Sequence, residues 1–211
     1  MGDNMTSENQ ETNKEEFKIF EIYDVSGILI KDPALKSHIN LSPKLLVKSY
    51  GRRKDKFSTS RINILERLAN RLAVPGHVGK KHRIITSWSS GKFNKNMKTV
   101  LNVLSIIEKT TGKNPIQVIV DAIENCSPRD EITVIESAGA RYPQAVDTSP
   151  IRRVNLAVRW IIQGAYAKSF GKKNKIVNTL ANEIISAAKG TMESYAMIKK
   201  NESEKQADAA R

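Results

Sequence analysis

The residues with the most chemical potential in this sequence are arginines. Arg152 and Arg153 follow Ser149-Pro150, a cap residue and a proline that together start a helix, so both fall in the first helical turn. Asn155, Arg159 and Gln163 lie opposite or beside the same helix's apolar stripe. The helix dipole already presents positive charge at that end, and a basic residue there costs roughly 0.3–1 kcal/mol. A chain that tolerates two is expected to have an anion to bind, with backbone N–H groups and guanidinium forks converging on phosphate oxygens. The alternative is a solvated charged face, which is common on exposed helices.

Other basic residues cluster. Arg52-Arg53-Lys54 form a run with Lys56 close by. The loop Gly76-His77-Val78-Gly79-Lys80-Lys81 invites a nucleotide-binding interpretation, but a P-loop needs four residues between its glycines and a Ser or Thr after the lysine. Its Gly-x-x-Gly with lysines is similar to the backbone clamp of a KH domain, whose strands the surrounding pattern lacks. A basic loop reaching for phosphates is the expectation and a plain solvated loop the alternative, with Lys92 and Lys95 following and Trp88 beside them. Arg141 and Tyr142 add a charged and a stacking group suited to nucleic acid.

Catalysis and metal binding find little support. The histidines are His38, His77 and His82, and two lysines stand between the last two, where they would repel a cation. Cys126, the single cysteine, lies among apolar neighbours at a helix end, where a small core residue is the expectation rather than a nucleophile. One cysteine excludes an intramolecular disulfide. No metal and no cofactor are expected.

The 211 residues carry 35 Lys and Arg against 22 Asp and Glu, a formal charge of +13, and hydrophobic residues make up 39%. This suits one folded domain with long arms, not two large domains or a disordered chain. An excess of that size implies a polyanionic partner, because each neutralised phosphate releases condensed counterions. No apolar run approaches the ~18 residues of a membrane span and no apolar signal core precedes the body, so a soluble, cytoplasmic protein with no membrane partner is expected.

These side chains must be positioned by mainly helical structure. Residues 1–16 are acidic and aperiodic and predict a disordered tail. Residues 17–60 predict an extended basic arm: β-prone residues from Phe17 to Ile30 suggest a short strand pair or an extended segment, and Pro33 and Pro43 punctuate the remainder, with room for one helical turn around Lys44 to Lys48. Residues 61–211 predict a bundle of five to six helices with one protruding β-hairpin at about 130–148. Ile62, Leu65, Leu68 and Leu72 mark the first helix, and Met97, Val100, Leu101, Leu104 and Ile107 the second, which ends near Gly112. Asn114-Pro115 starts the third, and Glu131 to Ser137, Gly139 and Arg141 to Asp147 form the hairpin. The fourth runs from Pro150 towards Gly171 with Trp160 on its core side, the fifth ends at Gly190, and a polar surface helix closes the chain.

Three runs carry a family resemblance: Thr111-Gly112-Lys113-Asn114-Pro115-Ile116-Gln117-Val118, then Ala122-Ile123-Glu124-Asn125 to Pro128-Arg129, and above all Ala145-Val146-Asp147 to Ser149-Pro150-Ile151-Arg152-Arg153-Val154-Asn155. With Leu180-Ala181-Asn182-Glu183-Ile184-Ile185, Ala187-Ala188-Lys189-Gly190 and Ser194-Tyr195-Ala196 to Lys199-Lys200, the chain from about Glu66 to Arg211 resembles small-subunit ribosomal protein seven in its archaeal and eukaryotic form. The resemblance implies a helical bundle with a hairpin. It also implies a structural, non-enzymatic role: direct binding of the 3′ major domain of small-subunit ribosomal RNA, organisation of the subunit head, and a place at the exit site of transfer and messenger RNA.

By position, Arg152 and Arg153 would then contact ribosomal RNA and the hairpin around Gly139 to Tyr142 would approach the exit site. The family's Gly-Lys-Lys falls on Gly91-Lys92-Phe93, without its second lysine although Lys95 comes soon after; Gly79-Lys80-Lys81 has those letters in the preceding loop. Tyr142-Pro143 stand where the eukaryotic hairpin has two arginines. Lys199 and Lys200 would contact RNA or a neighbouring small-subunit protein, with proteins eleven and nine the expected neighbours. The competing classes are an RNA-modifying methyltransferase, which needs a Gly-rich cofactor loop after a strand, and a helical DNA-binding regulator.

Overall fold

A computed structural model describes residues 18–42, 58–76 and 89–211. Seven α-helices are found among these: α1 (Pro33–Lys36), α2 (Ile64–Ala73), α3 (Phe93–Thr111), α4 (Pro115–Cys126), α5 (Pro150–Ser169), α6 (Ile176–Ala188) and α7 (Tyr195–Ala209). A hairpin of β1 (Asp130–Ser137) and β2 (Ala140–Asp147) separates α4 from α5. The result is a mainly α bundle with a β-hairpin. The acidic tail of residues 1–16 and the helical turn expected around Lys44 to Lys48 lie outside the described residues.

Local chemistry sets the helix starts. The Asn63 side chain accepts from Leu65 N and Asn114 from Ile116 N, and α4 and α5 each begin on a proline whose missing N–H leaves nothing unsatisfied in a first turn. Helix α3 stops at Gly112, which takes the left-handed conformation at φ 64°.

Helix α6 is central and packs on α3, α4 and α5, and α2 closes over α3 and α5. Leu104, Ile107, Ile116, Ile119, Ile123, Ile161, Ile162 and Leu180 are fully buried where these stripes meet. Burying each such side chain contributes about 1.5–3 kcal/mol relative to leaving it exposed. Trp160 packs partly buried against this core.

The hairpin pairs antiparallel from Asp130↔Asp147 to Ser137↔Ala140. Its two-residue loop, Ala138-Gly139, has positive φ at both positions (50° and 79°), the backbone of a turn whose twist matches the strands it joins. The base of the hairpin packs against α7, and the tip, with Val134, Tyr142 and Pro143 exposed, stands away from the bundle.

Residues 18–32 do not pair as strands. Ile19 and Tyr23 form one isolated bridge around a tight turn and bury their side chains in the core. Helix α4 supplies the hydrogen bonds a partner strand would have given. Asn114 Nδ2 donates to Asp24 O, Gln117 both accepts from Leu29 N and donates to Leu29 O, and Glu124 accepts from Asp32 N. Asp24 O, both backbone polar groups of Leu29 and Asp32 N are thereby satisfied without a sheet. Helix α1, too short for an apolar period, is absent from the sequence-based expectation. Asp32 caps it by accepting from Ala34 N, and Asp-Pro was its signal.

Candidate nucleic-acid interface

A groove of about 550 Å³ runs between α2 and α5. Four arginines line it: Arg67 and Arg71 from α2, Arg152 and Arg159 from α5, together with Asn70 and Asn155. No carboxylate is among its described lining residues.

The four differ in role. Arg67 is buried at the floor, where Nη1 donates to His38 O at 2.7 Å and Nη2 to Asn155 Oδ1 at 2.8 Å. This fixes the distance between the two helices. Arg71 is half-buried, and its Nε is enclosed without a hydrogen-bond partner. Burial, and then the positive charge of Arg159, hold its guanidinium below the ordinary arginine value. Two like charges face each other here, and an anionic ligand would satisfy both. Arg159 is exposed. Arg152 is 56% exposed at its side chain and reaches Glu131 of β1 at 2.6 Å, an ion pair weak enough in solvent to be exchanged for a phosphate.

Arg153 points the other way. Its guanidinium is buried, donating from Nη2 to Asp32 Oδ2 at 2.7 Å and from Nε to Pro128 O at 3.1 Å. The adjacent arginines expected to act together are thus separated, one on the groove and one inside the fold.

Lys92 and Lys95 frame a small concavity at the start of α3, away from the groove's α2 and α5 walls. Arg141 and Tyr142 are exposed on the hairpin, where Arg141 sits opposite Glu136 at 3.5 Å and Tyr142 opposite Ile135. Lys199 and Lys200 have partners within the fold. Lys199 donates to Glu202 and lies 5.8 Å over the Tyr195 ring, while Lys200 donates to Asn125 O at the end of α4. Arg52, Arg53, Lys54, Lys80, Lys81 and Trp88 lie outside the described residues.

Arg67 and Arg71 are site residues that the sequence pattern does not single out. They are spaced i, i+4 on α2, a like-charge pair that destabilises a helix slightly, and that was the available signal. Among the described residues no group of three or more His, Cys, Asp or Glu could hold a metal ion, and no helix is long and apolar enough to cross a membrane.

Comparison with known proteins agrees with this chemistry. The model of a family described as ribosomal protein S7p/S5e matches residues 35–211. Three relatives carry the name small ribosomal subunit protein uS7. That of Nanoarchaeum equitans is 46% identical over 195 residues, covering 92% of this chain and 98% of its own length. Those of Archaeoglobus fulgidus and Methanococcus vannielii are 42% and 40% identical, each covering 94% of this chain and 97% of their own.

Proposed function

The chain belongs to the ribosomal protein S7p/S5e family, and from that premise we propose that it binds the 3′ major domain of small-subunit ribosomal RNA directly, organises assembly of the subunit head and lines the exit site of transfer and messenger RNA. As a member of a ribosomal-protein family it is a structural constituent of the small subunit and not an enzyme. Its place of work is the cytoplasmic ribosome.

The observation that carries this is the groove between α2 and α5, whose described lining residues include four arginines and no carboxylate. A structured RNA offers phosphates at fixed spacing on a shape that side chains cannot read through its narrow major groove. A rigid cleft with Arg71 and Arg159 at its walls and Arg152 at its end would grip such a backbone by shape and charge. Lys92 and Lys95 would hold a second stretch of phosphates. The hairpin, with Arg141 and Tyr142 exposed, would reach the exit site and the neighbouring proteins, of which small-subunit proteins eleven and nine are the candidates. Arg52, Arg53, Lys54, Lys80 and Lys81 join the proposed contacts on sequence alone. Arg153 supports the fold that presents them, and Lys199 and Lys200 would meet RNA or a neighbouring small-subunit protein from α7.

Competition binding tests this. At moderate salt the protein should prefer a head-domain ribosomal RNA fragment to duplex DNA of equal length. A preference for the duplex would instead favour a DNA-binding regulator and end the ribosomal RNA proposal.

A further inference from the structure

A second cavity, of about 460 Å³, opens between the end of α2, the start of α3 and the end of α5. Leu72 and Ile176 give it apolar walls, and Tyr166 and Phe170 line it as a tilted pair with ring centroids 5.5 Å apart. Asn174 adds an exposed amide to the lining, and Asn96 lies buried behind it with its Nδ2 donating to Ser89 O at 3.3 Å. Phe170 leaves 41% of its surface to solvent, so this ring is not part of the packed core but stands at the cavity's lip.

Lys95 lines this cavity and also the concavity at the start of α3 formed with Gly91, Lys92, Phe93 and Asn94. One lysine therefore joins an aromatic, amide-bearing pocket to a cationic helix start with no acidic residue in its first turn. No carboxylate is among the described lining residues of either. An aromatic face, amide groups and a cation at the mouth are the three features that recognise a nucleotide unit: stacking for the base, hydrogen bonds for its edge, and charge for its phosphate.

We propose that the pocket of Tyr166, Phe170, Asn96 and Asn174 receives a single unstacked base of the bound RNA, with the adjoining phosphate beside Lys95 at the start of α3. This rests on the RNA-binding proposal above but concerns a different surface from the α2/α5 groove. A lone base is the occupant because α2, α3 and α5 line the pocket with an aromatic pair and, among its described lining residues, Lys95 is the one cation.

The test uses the full chain, an adenosine RNA decamer and an abasic ribose-phosphate decamer, with binding read by fluorescence anisotropy. The wild type should bind the adenosine decamer more tightly. Phe170→Ala should weaken that binding about tenfold and leave the abasic decamer unchanged, with Asn174→Ala moving it the same way by a smaller factor. Phe170→Trp should restore it, which separates stacking from a loss of fold. Equal binding of both decamers by the wild type, or equal weakening of both by Phe170→Ala, would overturn the pocket, as would a Phe170→Ala protein that binds both like the wild type. In each of these cases an intact preference for the head-domain fragment over duplex DNA would leave the ribosomal RNA proposal standing.

Discussion

Arg153 Nη2 lies 2.7 Å from Asp32 Oδ2, joining the first turn of α5 to the N-terminal arm across 121 residues of sequence. The Arg153 side chain is 11% exposed and the Asp32 side chain 27%, so the pair is largely withdrawn from water. Its Nε also holds Pro128 O, the peptide that leads from α4 into the hairpin. Arm, hairpin base and α5 thus meet on one guanidinium.

Arg153→Ala should therefore act on stability. It strands Asp32 and Pro128 O together, and a cost of about 2–4 kcal/mol is expected for breaking a pair this enclosed. Arg152→Ala removes only an exposed pair and should stay within about 0.5–1 kcal/mol. Urea denaturation of both variants checks the contrast, and equal losses would show that burial does not separate them.

The same pair gives a pH dependence. Burial pushes the Asp32 carboxyl up, but the Arg153 hydrogen bond, the Ala34 N–H and the charges of Arg153 and Arg129 outweigh it and hold the group below its ordinary 3.8. Its stabilising contribution is thus complete above pH 3.8 and is lost as pH falls through the lowered folded value. Asp32→Asn should be less stable than wild type near neutrality, and the gap should narrow on acidification in that window. A gap independent of pH from about 6 down to about 2 would contradict the sign.

In the groove, Arg71→Gln with Arg159→Gln should weaken binding of head-domain ribosomal RNA. It should also make the slope of log affinity against log salt shallower by about two phosphates' worth, roughly 0.9 per phosphate for a duplex. Relief of the Arg71–Arg159 repulsion should leave the free protein's Tm unchanged or slightly raised. An unchanged slope in this folded variant would remove the groove from the phosphate contacts.

How much of this is legible in the sequence depends on how local each feature is. Asn114-Pro115 announces α4 because a cap acts within three residues, and Pro150 alone announces α5, since the Ser149 side chain makes no capping hydrogen bond. The hairpin is legible through its alternation and its Gly139 turn. The direction of Arg153 is not, because neighbouring residues of a helix diverge by about a hundred degrees and the choice between them is made by where Asp32 docks. The arm misleads for a related reason: β-prone residues mark chain suited to extended backbone, but Gln117 and Glu124 of α4 satisfy it instead of a strand. Arg71 acquires its interest only when α5 brings Arg159 against it.

Helix α7 is docked through a buried carboxylate. Glu183 of α6 is 1% exposed; Oε1 accepts from Ser194 Oγ at 2.8 Å and from Ala196 N at 3.2 Å, and Oε2 receives Lys168 Nζ at 2.6 Å. Gly164 of α5 makes room for this, since a Cβ there would lie 2.7 Å from Tyr195 Cβ and 3.0 Å from Glu183 Oε1. Gly164→Ala should consequently destabilise by about 1–3 kcal/mol, against the roughly 1 kcal/mol that alanine would normally gain in a helix. A thermal melt decides between them, and a raised Tm would show that α7 yields without cost.

Cys126 lies at the same junction, fully buried at the end of α4. Burial first, and then the Glu183 charge, push its thiol up to about 12, against opposing effects from Lys200 and the Ser194 hydrogen bond. Two outcomes are expected. At about pH 8 the folded protein should resist alkylation by iodoacetamide, while the urea-unfolded chain reacts, because only a thiolate attacks and the folded thiol stays protonated. Above pH 9 the unfolded thiol ionises and the folded one does not, so the unfolded state gains and stability should fall with pH until about 12. Cys126→Ala should make that alkaline slope shallower, leaving the part owed to Tyr23, Tyr166 and Tyr195, whose hydroxyls burial also holds above their ordinary value, while carrying a pH-independent cavity cost. Rapid alkylation of the folded protein under the same conditions, at the unfolded chain's rate, would show that the junction of α4, α6 and α7 opens far more readily than its packing implies.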